Sequence, residues 1–360
     1  MRSGTALHDL PRVTDLAAAT ADAVCLLDEA RRVSLPQPLF VDCLEALPAL
    51  TRDIVSRTHS EIDPVYLAKL HNVTLTGDRD LVTQDGLYLA DLWNQAGLHT
   101  TAPGPCGREG PVIDVAGLSL LLFHNASSGD NHSHWLLQTL PQLGLCERAG
   151  IRPDRLVVQP NIQPYQRDVL AAFGYGADWL LERDPRQAMR FEALCVGYVD
   201  GGLVPDPWVY DRQIKAFEKS TQGPERIYVS RQDARGIRRF LNEPELIERL
   251  RRLDFTIVVP STLSAAEEVT MFRDARLIVG PLGAGLYNAV FTKPGAVMIG
   301  LSDPGYVMEW LAQTAALRCH RIGWMFGLAF DSNDPVYDGS HGNWIIDIEF
   351  VVSKSKSICY

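Results

Sequence analysis

The sequence predicts an α/β protein built from two domains. Its 360 residues are more than twice the roughly 150 that one domain commonly contains. Beyond residue 111, short apolar strands alternate with helical stretches, which is typical of a sheet covered by helices. A short polar segment broken by Gly-Pro, residues 217–224, separates a less regular half from a more regular one and is the predicted linker.

Composition and charge exclude several functional classes. The chain carries 34 basic and 44 acidic side chains, a net charge of −10, whereas a protein that coats nucleic acids needs a basic face. No stretch approaches the roughly 18 consecutive apolar residues of a membrane-spanning helix, and the first residues contain no apolar signal core. Seven cysteines without a C-x-x-C pair indicate buried thiols rather than a disulfide framework or a zinc ribbon. We therefore expect a cytoplasmic protein with no nucleic-acid partner.

Residues 1–110 are interpreted as an extension of the first domain. Apolar stripes over residues 16–33 and 41–54 predict two helices. Residues 73–89 alternate apolar with polar side chains around turn residues, which predicts short antiparallel strands. Asp78-Arg79-Asp80 is similar to a metal motif of nucleotide-sugar enzymes, but its position in the predicted hairpin turn favours a turn.

Residues 111–216 predict a first Rossmann-like domain whose sheet is half parallel. A buried strand over 112–123 leads through a polar loop into a helix over 135–145, and strands alternate with a helix after it.

Residues 225–325 predict a second Rossmann-like domain with a parallel sheet covered on both faces. Its strands are expected at 227–230, 255–259, 277–279 and 297–301, with helices at 244–253, 265–275 and 286–291. The tail, residues 326–360, contains one further predicted strand over 344–352.

A glycine-rich turn follows the third strand of the second domain. Ligands of open parallel sheets bind beyond the carboxyl ends of the strands, so this turn is the first candidate site. Glycines allow a tight turn and a close approach, and the first amides of the next helix carry about half a positive charge. We predict that Gly283, Ala284, Gly285 and Leu286 bind a phosphate; the alternative is a glycine turn without a ligand.

Arginines cluster after the first strand of the same domain. Five arginines and one aspartate lie between residues 226 and 239, a local charge of +4 in an acidic chain. Guanidinium groups bind phosphate oxygens through paired, charge-assisted hydrogen bonds. Arg231 and Arg238 are therefore the predicted phosphate ligands, and the alternative is a solvated basic loop.

Two pairs of polar residues near helix starts have both a functional and a structural interpretation. Glu267 is a candidate for binding ribose hydroxyls, but Ser264-x-x-Glu267 is also a capping box. Asn242-x-x-Glu245 shows the same pattern, and we interpret it as a helix cap.

A group that accepts a proton is predicted in the first domain. Asp130, His132 and His134 open a helix after a buried strand. Histidine can take a proton from a hydroxyl near neutral pH, and an aspartate can orient it. His132-x-His134 is also a metal-ligand spacing, but no third ligand follows at a suitable spacing, so we expect no metal.

Five sequence blocks follow one another between about residues 120 and 320. They are Asn131-x-x-His134-Trp135-Leu-Leu-x-x-Leu-Pro141-x-Leu143, Tyr228-Val-Ser-Arg231, Arg238-x-x-Leu241-Asn242-Glu243, Leu263-Ser264-x-x-Glu267 and Ala275-x-x-Ile278-Val279-Gly280-Pro-x-Gly283-Ala-Gly285-Leu-x-Asn288-x-x-Phe291. Together they resemble glycosyltransferase family 61, which includes bacterial capsular-polysaccharide enzymes and eukaryotic xylosyl- and N-acetylglucosaminyltransferases.

The resemblance implies a GT-B fold, in which two Rossmann-like domains face a central cleft. It implies inverting, metal-independent transfer of a sugar from a nucleotide-sugar donor, with UDP as the favoured nucleotide. The acceptor would be a hydroxyl of a glycan or of a lipid-linked molecule in polysaccharide biosynthesis, and a lipid-linked acceptor would bring the cytoplasmic enzyme to a membrane surface. No cofactor other than the donor is expected. Asn288, in the last block, joins the predicted donor-binding residues.

Two departures from the family pattern favour an alternative function. Leu282 stands where the family commonly has histidine, and Gln138 stands where the helix often carries an acidic residue. Neither side chain titrates, so the alternative is a catalytically impaired member that acts as a scaffold or regulatory subunit. A weaker alternative is a NAD-dependent oxidoreductase in which Asp303, 20 residues after Gly283, would bind ribose; Asn288 in place of a third glycine disfavours it.

Overall fold

The computed structural model of the chain contains two compact units. The first consists of residues 1–31 and 61–209, and the second of residues 32–60 and 210–360, so the predicted linker at 217–224 falls inside the second unit. The structure describes residues 24–28, 31–62, 65–76, 80–82, 111–122, 131–184, 186–199, 207–218, 221–233, 238–330 and 342–359. Within these ranges, no helix has both the length and the apolar character needed to cross a membrane.

The strands are numbered in chain order through both units. They are β1 (Val24–Asp28), β2 (Arg31–Ser34), β3 (His59–Ile62), β4 (Val65–Thr76), β5 (Asp80–Val82), β6 (Ile113–Leu121), β7 (Arg155–Val158), β8 (Leu180–Glu182), β9 (Met189–Val199), β10 (Arg226–Val229), β11 (Thr256–Val258), β12 (Leu277–Pro281), β13 (Val297–Ser302), β14 (Arg321–Phe326), β15 (Leu328–Ala329) and β16 (Trp344–Ile345).

The helices are numbered in the same way. They are α1 (Ala49–Ser56), α2 (His132–His134), α3 (Pro141–Arg148), α4 (Pro164–Ala172), α5 (Pro207–Phe217), α6 (Glu243–Arg251), α7 (Ala265–Arg273), α8 (Trp310–Leu317) and α9 (Ile348–Cys359). A π-helix, Trp135–Thr139, joins α2 to α3, and 3-10 helices span Leu44–Ala46, Ala177–Trp179, Pro260–Thr262 and Ala284–Phe291.

A mixed seven-stranded sheet forms the first unit. Its order is β1-β4-β9-β6-β7-β8, with β5 paired to β4. Strands β9, β6, β7 and β8 are joined by parallel pairs, whereas β1, β4 and β5 are joined by antiparallel pairs. The half-parallel sheet predicted for this part of the chain is confirmed, and so is the antiparallel pairing predicted after residue 73. The turn of that hairpin, residues 77–79, lies outside the described residues.

A five-stranded parallel sheet forms the centre of the second unit. Its order is β11-β10-β12-β13-β14, and every neighbouring pair is parallel. Each of the four strands predicted for this sheet is present, and β14 is an addition that the sequence analysis did not predict. Val279 and Ile299 pack with α6 and α9 on one face. On the other face, a β-carbon placed on Gly300 would lie 2.7 Å from Leu311 in α8, so both faces are covered as predicted.

A segment from the N-terminal part of the chain extends this sheet. Leu39 N donates to the Ile322 carbonyl oxygen at 2.7 Å, and Trp324 N donates to the Phe40 carbonyl oxygen at 3.1 Å. The Phe40 ring lies against Gly323, where an added β-carbon would be 2.5 Å from it. Residues 32–60 therefore belong to the second unit, although the sequence analysis grouped them with the first domain.

Three element predictions were wrong. The helix predicted over 16–33 is replaced, in its described part, by β1 and β2, because β1 pairs with β4 and strand pairing overrides a weak apolar stripe. The helix predicted over 41–54 begins only at α1, because the residue before Pro48 is held in an extended conformation. The strand predicted over 344–352 ends at β16, and Ile348, Val351, Val352 and Ser355 instead form the buried face of α9 at helical spacing.

Candidate functional site

The candidate site lies at the topological switch point of the second sheet. From β10 the chain moves outward to β11 and then returns to β12 on the other side of β10. At such a switch point the connections leave in opposite directions, so a crevice opens beyond the carboxyl ends of the two strands. Arg231 follows β10, and Leu282 and Gly283 follow β12. The fold thus brings together the arginine and glycine segments that the sequence predicts as phosphate ligands.

Two guanidinium groups converge at this edge. Arg231 Nη1 donates to the Leu282 carbonyl oxygen at 2.7 Å, and Arg238 Nη1 donates to the same oxygen at 3.4 Å. Burial and the charge of Arg238 lower the pKa of Arg231. An anion bound here would relieve the repulsion between the two cations, so the pair favours an anionic ligand.

The conformation of Arg238 is unusual. Its φ of 59° lies in the left-handed region that non-glycine residues rarely adopt. Its guanidinium carbon lies 3.7 Å from the ring centroid of Tyr306 and makes a cation–π contact. Strained backbone is common at ligand sites, where the surrounding structure keeps a side chain in place.

The glycine turn packs directly on these groups. A β-carbon on Gly283 would lie 3.0 Å from Arg231 Cδ, and one on Gly285 would lie 2.6 Å from the Pro260 ring. The helix predicted over 286–291 is a 3-10 helix that begins at Ala284, and its first hydrogen bond is donated by Leu286 N to the Gly283 carbonyl oxygen at 3.1 Å. The amides of Ala284 and Gly285 precede that bond at the helix start, beside Arg231.

Glu243 is a site residue that the sequence analysis missed. Its Oε1 accepts from the Arg231 amide at 2.9 Å and from the Tyr228 hydroxyl at 3.1 Å. Burial raises the pKa of Glu243, while these hydrogen bonds favour its charged form. Glu243 therefore fixes the chain at the point where it leaves β10. The sequence block that contains Glu243 was the available signal, but its contacts are not evident from residue spacing.

Asp303 follows β13 at the same edge of the sheet. It is buried, its Oδ1 accepts from the Gly305 amide at 2.9 Å, and its Oδ2 has no hydrogen-bond partner. Burial raises the pKa of Asp303, and the charge of Arg238 opposes that increase. The sequence analysis considered Asp303 only as a ribose ligand of an oxidoreductase.

The first unit contains the predicted histidines. Asn131 caps α2, since its side-chain oxygen accepts from Ser133 N at 3.0 Å. The His132 ring lies 5.3 Å from that of Tyr165, measured between centroids. His134 Nδ1 lies 2.5 Å from Gln138 Oε1. Asp130, the third predicted member of this cluster, lies outside the described residues.

A comparison with protein families finds a match in the chain. The family model Glycosyltransferase 61 matches residues 132–299. Over these residues the chain is similar to glycosyltransferase family 61. The match begins at His132 and ends in β13, so it contains His134, Arg231, Arg238 and the glycine turn. The match confirms the resemblance seen in the sequence and indicates a glycosyltransferase. No curated protein matches it.

The side chain of Leu282 is turned into the core of the second unit. It is 2 % exposed, and its Cδ2 lies 3.1 Å from the position that a β-carbon on Gly300 would take. The carbonyl oxygen of residue 282, rather than its side chain, contacts the arginines. The Leu282 side chain therefore packs beneath the turn.

Other predicted donor-binding residues have structural contacts. Glu267 accepts from Ser264 N at 2.8 Å, which confirms the capping box. Asn288 is buried, and its Nδ2 donates to Glu268 at 3.3 Å. The helix cap predicted for Asn242 was wrong, because its side chain instead bonds both the amide and the carbonyl of Ile346.

Potential metal ligands are dispersed over the part of the chain that the structure describes. No group of three or more His, Cys, Asp or Glu side chains lies close enough together to bind a metal ion there. Asp80 begins β5 and pairs with Thr76, whereas Asp78 and Arg79 lie outside that part.

Proposed function

We propose that this chain is a glycosyltransferase that moves a sugar from a nucleotide-sugar donor, favoured to be UDP-linked, to a hydroxyl of a glycan or lipid-linked acceptor in polysaccharide biosynthesis. The observation that carries the proposal is the convergence of Arg231 and Arg238 on one carbonyl oxygen at the switch point of the second sheet. Two half-buried cations with a shared acceptor form a site for a compact dianion, and the diphosphate of a nucleotide sugar has that charge.

The same groups favour departure of the nucleoside diphosphate. As the bond between the anomeric carbon and the diphosphate oxygen breaks, that oxygen keeps the electron pair and the negative charge of the diphosphate increases. Donors already held in position, here the two guanidinium groups and the amides of Ala284 and Gly285, stabilise that charge more in the transition state than in the ground state.

His134 is the proposed base. It takes the proton of the acceptor hydroxyl, whose oxygen forms a new bond to the anomeric carbon as the bond to the diphosphate breaks. A single displacement of this kind inverts the anomeric configuration. His132 lies on the same short helix and Asp130 lies two residues before it in the sequence, so we propose that both support the acceptor site.

Metal independence is part of the proposal. The arginine pair supplies two positive charges at the site, which is the role that a divalent cation has in metal-dependent transferases. Lys and Arg side chains bind phosphate without coordination chemistry, and Arg does so with paired hydrogen bonds.

A GT-B arrangement of the two units around a central cleft is also proposed. The family match and the α/β architecture of each unit support it. A cytoplasmic location is also proposed, because an odd number of cysteines without a C-x-x-C pair does not suggest the disulfide framework of a secreted protein.

A donor panel tests the function. Purified protein is incubated with UDP-, GDP- and CMP-sugars and an acceptor panel, and nucleotide release is measured with and without EDTA. We expect release from one donor class, unchanged in EDTA, and a loss of at least about 100-fold in His134→Ala with donor affinity retained. Loss of activity in EDTA that Mn²⁺ restores would return attention to Asp78 and Asp80.

Binding without turnover would instead support the scaffold alternative. In that case the double variant L282H/Q138D would be expected to restore activity. The burial of Leu282 argues against this result, because an imidazole in its place would be buried beneath the turn.

A further inference from the structure

The segment that carries His134 changes helix type next to it. α2 passes into the π-helix Trp135–Thr139, in which Leu140 N donates to the Trp135 carbonyl oxygen at 2.8 Å, five residues back. Pro141 has no N–H to continue the helical ladder, and the chain resumes α geometry at this residue. Such π turns often occur at functional sites, where they change the direction of a side chain.

Gln138 lies within this wide turn and contacts His134. The two residues are four positions apart and therefore lie on the same side of the helix. The His134 Nδ1 to Gln138 Oε1 distance is 2.5 Å, and Gln138 is completely buried. An amide oxygen accepts hydrogen bonds, so with the Gln138 oxygen turned towards the ring the imidazole donates from Nδ1. A neutral imidazole that carries its proton on Nδ1 has its lone pair on Nε2.

We propose that Gln138 is a positioning residue that keeps His134 in the Nδ1–H tautomer, so that Nε2 accepts the proton of the sugar acceptor. The inference rests on the proposed function and adds to it the atom that accepts the proton and the residue that makes this atom available. The amide orients the ring as a carboxylate does, without adding a charge. The proton that leaves the acceptor hydroxyl goes to Nε2, and the proton on Nδ1 stays in its hydrogen bond to Gln138.

Further contacts hold Gln138 in place. The main-chain carbonyl oxygen of Gln138 accepts from Gln142 Nε2 at 3.3 Å, and Gln142 is itself buried. Gln142 packs against Gly197 in β9, where a β-carbon would lie 1.9 Å from Gln142 Oε1. Only glycine at 197 leaves room for this side chain. These contacts connect the main chain at Gln138, and with it the helix that carries His134, to the sheet of the first unit.

Two variants separate orientation from packing. Gln138→Glu keeps an oxygen that accepts from Nδ1, whereas Gln138→Met has a similar length and no such acceptor. ¹⁵N NMR of histidine-labelled protein reports which ring nitrogen carries the proton, and His134→Gln identifies the signal among the nine histidines. The spectrum of the wild type, recorded without substrate, does not depend on whether a variant folds.

We expect the Nδ1–H tautomer for His134 in the wild type and its loss in Gln138→Met. The Met variant should also lose at least about tenfold in kcat with the donor KM unchanged, and Gln138→Glu should retain the tautomer and most of the activity. A proton on Nε2 in the wild type, or a Met variant with unchanged tautomer and kcat, would overturn the inference. If the tautomer behaves as expected but no donor reacts, the orienting contact is supported and the proposed transfer fails.

Discussion

At the scale of single residues, buried titratable groups set the electrostatics of the proposed donor site, the edge of the second sheet where Arg231, Glu243 and Asp303 lie. Burial raises the pKa of Glu243 and of Asp303 and lowers that of Arg231, so it disfavours the charged form of each. Their neighbours oppose this effect, since Glu243 accepts two hydrogen bonds and Asp303 lies in the field of Arg238. Buried charged groups of this kind reduce the stability of the fold. They are typical of sites that bind a ligand.

His320 makes the stability of the second unit depend on pH. Its ring is buried, and Nε2 donates to the Ala289 carbonyl oxygen at 3.2 Å. Burial lowers the pKa of His320 from 6.5 to about 4. Between these values the unfolded chain binds a proton that the folded chain does not, so stability present above pH 6.5 is lost as the pH falls towards 4.

We expect this group to lower the free energy of unfolding by about 2 kcal/mol between pH 7 and pH 5. His320→Gln retains a donor to Ala289 but does not titrate, so the variant should lack this part of the decrease. Urea unfolding of both proteins at the two pH values measures the difference. The same decrease in both proteins would show that His320 is not responsible.

At the scale of elements, the glycine turn combines two kinds of close contact. Gly283 faces a flexible arginine side chain, whereas Gly285 faces the rigid ring of Pro260. Gly283 has a φ of 169°, an extended conformation that any residue adopts, so only its contact with Arg231 requires glycine. The two glycines therefore have separable effects on binding and on stability.

Gly283→Ala and Gly285→Ala test this separation. The first should change the free energy of unfolding by less than about 1 kcal/mol and weaken UDP binding, because Arg231 must move. The second should cost about 1–3 kcal/mol of stability, because the Pro260 ring cannot move away cheaply. Gly176→Ala is the control, since its φ is −71° and no atom lies within 4 Å of the added carbon. Equal losses of stability in the first two variants would contradict the distinction.

Elements differ in how far the sequence predicts them. The strands β10 to β13 were predicted to within a few residues, because a buried parallel strand is a continuous apolar run that is visible locally. Pairing of β1 with β4, and of residues 39–42 with β14, depends on partners far away in the chain. α9 was missed because its β-branched residues also satisfy a strand pattern, and the choice depends on packing against the second sheet.

The site residues differ in the same way, because some are recognisable from the neighbouring sequence and others only from contacts with residues farther along the chain. Arg231, Arg238 and the glycine turn were predictable, because strand ends in an open parallel sheet are where ligands bind. Glu243 contacts Tyr228, 15 positions before it, and Arg231, 12 positions before it, and these contacts follow no periodic pattern. The role of Gln138 is visible only from its contact with His134, because the sequence alone shows an amide where an acid is common.

At the scale of the whole molecule, the proposed donor site places two arginines next to each other in an acidic protein. The chain carries a net charge of −10, yet Arg231 and Arg238 lie together at the switch point. Affinity for a nucleoside diphosphate must therefore come from local, half-buried groups rather than from the overall field. Half-buried pairs are screened less by salt than exposed ones, so binding should depend only weakly on ionic strength.

Calorimetric titration of UDP and GDP into the wild type, Arg231→Ala and Arg239→Ala tests the central claim most directly. Arg239 is exposed in the same basic segment and provides the matched control. The account predicts that Arg231→Ala weakens binding by about 1.5–3 kcal/mol, roughly 10- to 150-fold, while Arg239→Ala changes it less than about twofold. Equal affinities of Arg231→Ala and the wild type, or equal losses in both variants, would contradict a diphosphate site at the end of β10.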